Sequence, residues 1–332
     1  MPVNRQILLA SRPEGWVTEA NFKLVESAMP RPGDGQFLVR NRWLSLDPYM
    51  RGRMDAKKSY AKHVELGEVM VGGAVGEVIE SRHPAFKPGD FVNAAFGWQE
   101  YALSDGTGAR KVDPSRAPLS YYLGVLGMPG VTAWIGLLDI AQPKAGETVV
   151  VSAASGAVGS VVGQLARIKG CRAVGIAGGR AKCDYTVGEL GFDACVDYKA
   201  GPLGESLAAA APNGVDVYFE NVGGEVLDAV LVSMNPFSRI TICGLVSQYN
   251  ATEAYGVRNL RSILTNRIRV QGFIVSDRME LWPRALDELA DWTAAGKIKY
   301  RETIAHGLAN APRAFIGMLR GDNLGKQLVA LD

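Results

Sequence analysis

The chain carries no cysteine before Cys171, and its four cysteines, Cys171, Cys183, Cys195 and Cys243, form no CxxC pair. Of its three histidines, His63, His83 and His306, none is followed by glutamate. A structural zinc on paired cysteines therefore lacks its ligands. So does a catalytic zinc held by a Cys, a His-Glu pair and a further Cys. His83 precedes Pro84 in a turn and His63 sits in a charged loop, so both read as surface residues. The thiols read as free cysteines of a reducing cytoplasm. An excess of one charge is also missing: 36 basic residues face 34 acidic ones, net +2, which points to neither nucleic acid nor an anionic membrane. The opening MPVNRQILLASRPEGW holds no apolar run of signal-peptide length. Thr148 to Ala166 carries no charge and approaches a membrane span in length. Its many Gly, Ala and Ser residues, and its switch from strand to helix character, favour a buried βα unit.

What is present is a soluble composition, 47% hydrophobic and 21% charged over 332 residues, long enough for two domains. The early part has short β-rich runs, Gln36–Arg40, Gly72–Glu80 and Asp90–Ala95, punctuated by the turns Arg31-Pro-Gly-Asp-Gly35 and Lys87-Pro-Gly-Asp90. It reads as a compact β-barrel-like domain. From about Leu123 strand and helix patterns alternate. Strands are predicted at Thr148–Ser152, Ala173–Ala177, Ala194–Val196, Val215–Glu220, Ile240–Leu245 and Arg269–Val275, with helices at Gly224–Met234 and Val257–Asn266. Such βαβ order makes a doubly wound parallel sheet, an α/β class. A long helix is predicted at Asp277–Ala295, then a helix and an apolar strand in the tail, which is expected to return to the first domain. The predicted domains are residues 1–122 with 300–332, and residues 123–299.

Val149 to Gly179 reads as strand, tight turn, helix and parallel strand, a unit that binds a dinucleotide pyrophosphate at the helix N-terminus. Gly156 and Gly159 remove Cβ atoms where backbone and phosphate approach, and Gly163 lets the helix pack near the sheet. Ala154 stands where the first glycine of GxGxxG would be. A carboxylate that would hold the ribose hydroxyls of NAD is missing at the end of the second strand. Gly178-Gly179-Arg180-Ala181-Lys182 stands there instead. Two cations without a carboxylate attract a 2′-phosphate, and they oppose the helix dipole where they stand. The expected cofactor is NADP(H).

Six ordered segments carry a resemblance over essentially the whole chain. They are Leu46-Asp-Pro-Tyr-Met-Arg51, Gly127-Met-Pro-Gly-Val-Thr-Ala-Trp134, Ala154-Ser-Gly-Ala-Val-Gly159, Phe219-Glu-Asn-Val-Gly-Gly224, Cys243-Gly-Leu-Val-Ser-Gln-Tyr-Asn250 and Asp322-Asn-Leu-Gly-Lys326. Together they resemble the medium-chain dehydrogenase/reductase superfamily. Within it they resemble the leukotriene B4 dehydrogenase/prostaglandin reductase family of NADPH-dependent double-bond reductases, including curcumin reductase-like members. The resemblance implies a GroES-like β-barrel catalytic domain, a Rossmann domain and a homodimer. It implies that Gly156, Ala157, Val158, Gly159 and Gly178 border the cofactor. Lys182 matches a lysine on the 2′-phosphate, and Tyr198 a tyrosine at the adenosine end. Met128, Thr132, Asn221, Cys243, Gly244, Ser247, Tyr249, Phe273, Ile274, Val275 and Asn323 match further cofactor contacts. The zinc alcohol dehydrogenases of the same superfamily are set apart by the missing ligands.

Hydride delivery to the β-carbon of an enone generates an enolate, whose oxygen needs a hydrogen-bond donor in a dry pocket. A tyrosine hydroxyl, or a ribose hydroxyl held by one, can serve. Tyr249 follows the fifth strand and is the leading candidate. Tyr49 is the second, with Arg51 and Tyr60 as companion residues of the substrate pocket. Three readings stand: an NADPH-dependent, zinc-independent reductase of α,β-unsaturated ketones or aldehydes of apolar character, an NADPH quinone oxidoreductase, and a noncatalytic NADPH-binding sensor.

Overall fold

The computed structural model describes residues 3–331 and resolves into two compact units, Met1–Gly124 with Glu302–Asp332, and Val125–Arg301. In the first unit, β1 (Val3–Leu9) and β2 (Phe22–Ala28) form an antiparallel ribbon. β3 (Phe37–Ser45), the short helix α1 (Tyr49–Arg53), β4 (Ala74–Ser81), β5 (Phe91–Ala94), β6 (Tyr101–Ser104) and β7 (Arg110–Val112) follow.

The second unit starts with α2 (Met128–Trp134), which widens into a π-helical stretch, Ile135–Ala141. Then strand and helix alternate: β8 (Thr148–Ser152), α3 (Gly159–Ile168), β9 (Arg172–Ala177), α4 (Arg180–Gly188), β10 (Ala194–Asp197), α5 (Leu203–Ala210), β11 (Val215–Glu220), α6 (Gly224–Ser233), β12 (Met234–Ile242), α7 (Arg261–Thr265), β13 (Arg269–Gly272) and α8 (Trp282–Ala294). β8 is buried along its whole length, which explains a run of three consecutive valines that does not alternate. The parallel sheet has the order β10-β9-β8-β11-β12-β13. Counted from β8 this is 3-2-1-4-5-6, the doubly wound Rossmann order, and its direction of winding reverses between β8 and β11.

The chain then completes the first unit with β14 (Glu302–His306), α9 (Ala311–Arg320) and β15 (Lys326–Ala330). β15 pairs antiparallel with β3 in a sheet ordered β14-β15-β3-β4-β5-β7, onto which β6 pairs through β3. This is the GroES-like β domain. Phe22 stacks on Trp98 at 5.4 Å, and Phe315 of α9 meets Trp98 edge-on at 5.5 Å, so the C-terminal segment fills the N-terminal core. A Cβ on Gly76 would lie 2.4 Å from the Arg40 carbonyl oxygen, so only glycine fits where β3 and β4 shift register.

Several predicted elements differ in extent; the strand expected at Gln36–Arg40 runs Phe37–Ser45, and the one expected at Arg269–Val275 stops at Gly272. The helix expected at Val257–Asn266 is only Arg261–Thr265, because the Asp228 carboxylate captures the amides of Arg258 and Asn259 at 2.9–3.1 Å. The helix expected from Asp277 starts at Trp282; Arg278, with φ −127° and ψ 41°, interrupts it. The strand expected at Ile240–Leu245 runs Met234–Ile242. Pro236 sits in its bulge, and its end is set by the Cys243 and Gly244 amides, which both turn to the Glu220 carbonyl. The uncharged stretch Thr148–Ala166 is β8, a turn and α3, and no helix of the described residues is long and apolar enough to cross a membrane.

Candidate functional site

The reversal between β8 and β11 opens a crevice at the carboxyl ends of these strands, where doubly wound sheets take their ligands. β8 ends at Ser152, and Ala153 turns the chain with φ +50°. The Gly156 amide donates back to the Ala153 carbonyl at 2.9 Å. The two glycines of this turn have different jobs. A Cβ on Gly159 would come within 2.3 Å of the Ala153 carbonyl oxygen, so the turn itself excludes a side chain. A Cβ on Gly156 would meet nothing nearer than 3.2 Å, so its missing side chain leaves room in front of the turn. The amides of Ala157, Val158 and Gly159 have no acceptor among the described residues. These are the orphan donors of the α3 N-terminus, and with the helix dipole they form a cradle for a pyrophosphate. Ala154 fits the first glycine position because Gly175 faces it: a Cβ there would be 2.7 Å from the Ala154 methyl. Gly163 makes room for the ring of Phe192, which a Cβ would overlap at 1.8 Å.

At the end of β9, Gly178 and Gly179 lead into α4, with Gly179 at φ +101°. Lys182 is half-buried in the first turn of α4, whereas Arg180 is almost fully exposed and reaches Asp184 at 3.6 Å. Tyr198 lies against Gly178, where a Cβ would be 2.7 Å from its hydroxyl oxygen. Asp197, which the sequence reading did not single out, reaches the same turn from β10. Its Oδ1 accepts from the Gly179 amide at 2.7 Å and the Lys199 amide at 3.0 Å, and these bonds hold its carboxyl below the usual carboxylate value. The carboxylate at this turn is thus engaged by backbone amides. The glycine cradle, the orphan amides and a lysine in the first turn of α4 fit a phosphorylated dinucleotide.

The ends of β11 and β12 are tied into one polar cluster. The Asn221 amide donates to Ser152 Oγ and its Nδ2 to the Ser152 carbonyl, both at 2.8 Å. Ser152 Oγ donates to Glu220 Oε1 at 2.8 Å, which also accepts from the Val222 amide. Glu220 is fully buried and its Oε2 makes no hydrogen bond; burial pushes its carboxyl up. The Cys243 thiol is pushed up to about 12 by burial and by the nearby Glu220 charge. Beyond Cys243 the chain folds back. Ser247 Oγ donates to the Val222 carbonyl at 2.6 Å, and the Tyr249 hydroxyl accepts from the Leu245 amide at 3.4 Å. A Cβ on Gly244 would lie 3.1 Å from that hydroxyl and 3.5 Å from the Asn221 carbonyl, so Gly244 allows Tyr249 to lie over this corner. Thr132 Oγ donates to the Met128 carbonyl at 2.7 Å within α2. Phe273 meets Phe219 edge-on at 6.4 Å, Ile274 and Val275 are half-buried, and the Val275 carbonyl accepts from Trp282 Nε1.

In the first unit, α1 carries Tyr49 and Arg51. Burial and the Asp47 carboxylate raise the Tyr49 phenol above its ordinary value. Arg51 is committed to Asp55 at 2.7 Å and to the Gly15 carbonyl at 3.0 Å. The cation beside the tyrosines is Arg53, 5.6 Å from the Tyr49 ring centre and 4.3 Å from that of Tyr60. Its neighbour in sequence, Arg51, drew attention instead; no sequence signal distinguishes the two. The helix is anchored from behind by Lys326, only 1% exposed, which donates to the Leu46 carbonyl at 2.7 Å and Asp47 at 3.0 Å. Asn323 Nδ2 donates to the Gly325 carbonyl at 2.8 Å.

A family model described as "N-terminal domain of oxidoreductase" matches residues 5–112, and one described as "Zinc-binding dehydrogenase" matches residues 157–291. No group of three or more His, Cys, Asp or Glu among the described residues is placed to hold a metal. The chain is 50% identical to the NADPH-dependent curcumin reductase of Escherichia coli (strain K12), over 98% of this chain and 96% of that one. It is 43% identical to the NADP(+)-dependent 2-alkenal reductase of Nicotiana tabacum, over 98% and 97%. The crystal structure of CurA in complex with NADPH from Vibrio vulnificus superposes with a TM-score of 0.95 at 51% identity, covering 99% of both chains.

Proposed function

The chain belongs to the medium-chain dehydrogenase/reductase superfamily, in its family of NADPH-dependent double-bond reductases, and from that premise we propose how its residues carry out the reaction. It is an NADP-dependent oxidoreductase that reduces the carbon–carbon double bond of α,β-unsaturated ketones and aldehydes. The observation that carries the reading is the cradle of orphan amides at the α3 N-terminus beside a lysine-bearing turn. When bound, NADPH supplies the hydride. Ala157, Val158 and Gly159 hold the pyrophosphate with their amides, and Lys182 holds the 2′-phosphate, with Gly178 and Tyr198 bordering the adenosine end. Asn221, Cys243, Gly244 and Ser247 line the cofactor's path from the ends of β11 and β12, and Met128, Thr132, Phe273, Ile274, Val275 and Asn323 complete its surroundings. Tyr249 donates, directly or by orienting a ribose hydroxyl, to the oxygen on which negative charge develops. Tyr49, with a phenol kept protonated by burial, is the second donor, and Tyr60 and Arg51 flank the substrate pocket.

The substrates are apolar enones and enals. The protein works as a cytoplasmic homodimer. Its four free cysteines support a reducing compartment, and edge strand β13, with Val270 exposed on it, together with the exposed Leu264 and Phe237, supports self-association. The deciding assay follows NADPH loss with an enone and a quinone side by side, in the presence of a strong chelator. Enone turnover that survives chelation and exceeds quinone turnover is expected. Quinone-only turnover, or activity lost to the chelator and restored by zinc, would overturn the proposal.

A further inference from the structure

Two thiols that the hydride chemistry does not use lie side by side beneath the turn read as the 2′-phosphate site. Cys183 is in α4 and Cys195 in β10. Their sulfurs are 3.1 Å apart, and Cys195 donates its thiol hydrogen to Cys183. Gly175 on β9 makes the room: a Cβ there would stand 3.2 Å from the Cys195 sulfur. A disulfide has its sulfurs about 2.05 Å apart, so a closure of roughly 1 Å between α4 and β10 would form one. The other two cysteines are placed differently. Cys171 donates to the Lys144 carbonyl at 3.2 Å, and Cys243 is a half-buried free thiol at the end of β12.

The elements that hold the pair also shape the nucleotide turn. Lys182 immediately precedes Cys183. Asp197 and Tyr198 follow Cys195 closely; one fixes the Gly179 amide and the other lies against Gly178. We infer that Cys183 and Cys195 are a reversible dithiol/disulfide pair, oxidised by hydrogen peroxide, whose closure weakens NADPH binding at its 2′-phosphate end. The coupling to NADPH rests on the reading of Lys182 given above.

Cys183, the acceptor sulfur of the pair, attacks one peroxide oxygen. The S–O bond forms, the O–O bond breaks, and the leaving hydroxide takes the thiol proton to become water. The Cys195 sulfur then attacks the Cys183 sulfenic acid. The S–S bond forms, the S–O bond breaks, and the departing hydroxide takes the Cys195 proton as a second water. Two thiols lose two electrons and the peroxide gains them. Burial raises both thiols. Fewer thiolates slow attack on every electrophile, peroxide included, so oxidation needs excess peroxide and time, while burial keeps bulky disulfides and enones out and admits a small neutral oxidant.

The test treats the reduced full-length protein with hydrogen peroxide and digests it with trypsin. Cleavage after Lys182 and Lys199 releases residues 183–199, which contain both cysteines of the pair and no other. That peptide is expected to be lighter by two hydrogens, and dithiothreitol should reverse the change. The oxidised protein should bind NADPH roughly tenfold more weakly and NADH unchanged, the lower end of what one charge-assisted phosphate contact contributes. Cys195→Ser should abolish the mass change and keep the NADPH affinity of the reduced protein. Cys171→Ser, outside the pair, should retain the link, which keeps the test decisive if Cys195→Ser does not fold. A peptide that only gains oxygen overturns the proposal. So does a link that leaves NADPH affinity unchanged, and whether the phosphate reading falls with it is told separately by Lys182→Ala in the untreated protein.

Discussion

Single residues decide which cofactor is used and how charge is stabilised, and the two questions separate cleanly by mutation. Lys182→Ala removes a cation from the first turn of α4 and leaves the Asp197–Gly179 contact that shapes the turn. KM for NADPH should rise by about one to two decades, from the loss of roughly 1.5–3 kcal/mol, while NADH use stays nearly constant. Equal losses with both cofactors would point to a docking defect instead. Tyr249→Phe keeps the ring over Gly244 and deletes the hydroxyl. Loss of an oxyanion-type donor costs about 2.7–4 kcal/mol, so kcat on one enone should fall by roughly two to three decades with NADPH affinity retained. A kcat within twofold of wild type would make Tyr249 a packing residue and shift attention to Tyr49. At this scale the glycines and the missing NAD-type carboxylate were readable, because each acts through local backbone geometry or charge. Asp197, Glu220 and Arg53 were not. Their meaning depends on which amides and rings other segments bring to them, as when Asp197 reaches the β9 turn from the neighbouring strand.

Elements were legible where the local signal and the tertiary environment agree. β8 and β11 match their predicted ranges, since both are apolar runs bounded by turn residues. α7 and α8 were overestimated for opposite reasons. Asp228 on α6 takes the amides that would have opened α7, a partner thirty residues away that no periodicity encodes. α8 starts beside Pro283, a start signal the apolar spacing overrode. The β11 end carries its own prediction, because Glu220 is an acid whose folded-state value is raised by burial. The sign follows: folding favours the protonated form, so the associated stability is present below the ordinary glutamate value and is lost as pH rises through the raised one. Glu220→Gln keeps an oxygen that can accept from Ser152 Oγ and the Val222 amide, and removes the titration. Thermal melts of both proteins at pH 5 and pH 8 should show the variant gaining on wild type at the higher pH. A difference that does not change with pH would mean that Glu220 does not titrate there.

At the scale of the whole molecule, the chain interrupts one unit to build another. Val125–Arg301 is continuous and closes its own sheet, with a core that includes Val150, Val174, Ile176, Tyr218 and Ile240. The other unit needs both ends of the chain. β15 lies between β14 and β3, Lys326 is the buried partner of Asp47, and Phe315 is buried against Trp98. Cutting this unit at residue 301 would leave the Asp47 carboxylate without its buried cation and strip apolar surface from β3 and Trp98, each of which destabilises by kilocalories. A protein ending at Arg301 should therefore lose the first unit but not the second, and limited proteolysis should trim it to a resistant core near residues 125–301. The isolated 125–301 fragment, expressed alone, should melt cooperatively and bind NADPH in preference to NADH, because the α3 amides and Lys182 all lie within it. If the roles proposed for Tyr49 and Asn323 hold, it should not turn over an enone. Calorimetric melting, cofactor titration and an enone assay on the fragment check the three parts. Failure of the fragment to melt cooperatively would show that the dinucleotide unit depends on its partner for stability, and cooperative melting without NADPH binding would place part of the cofactor's affinity in the first unit.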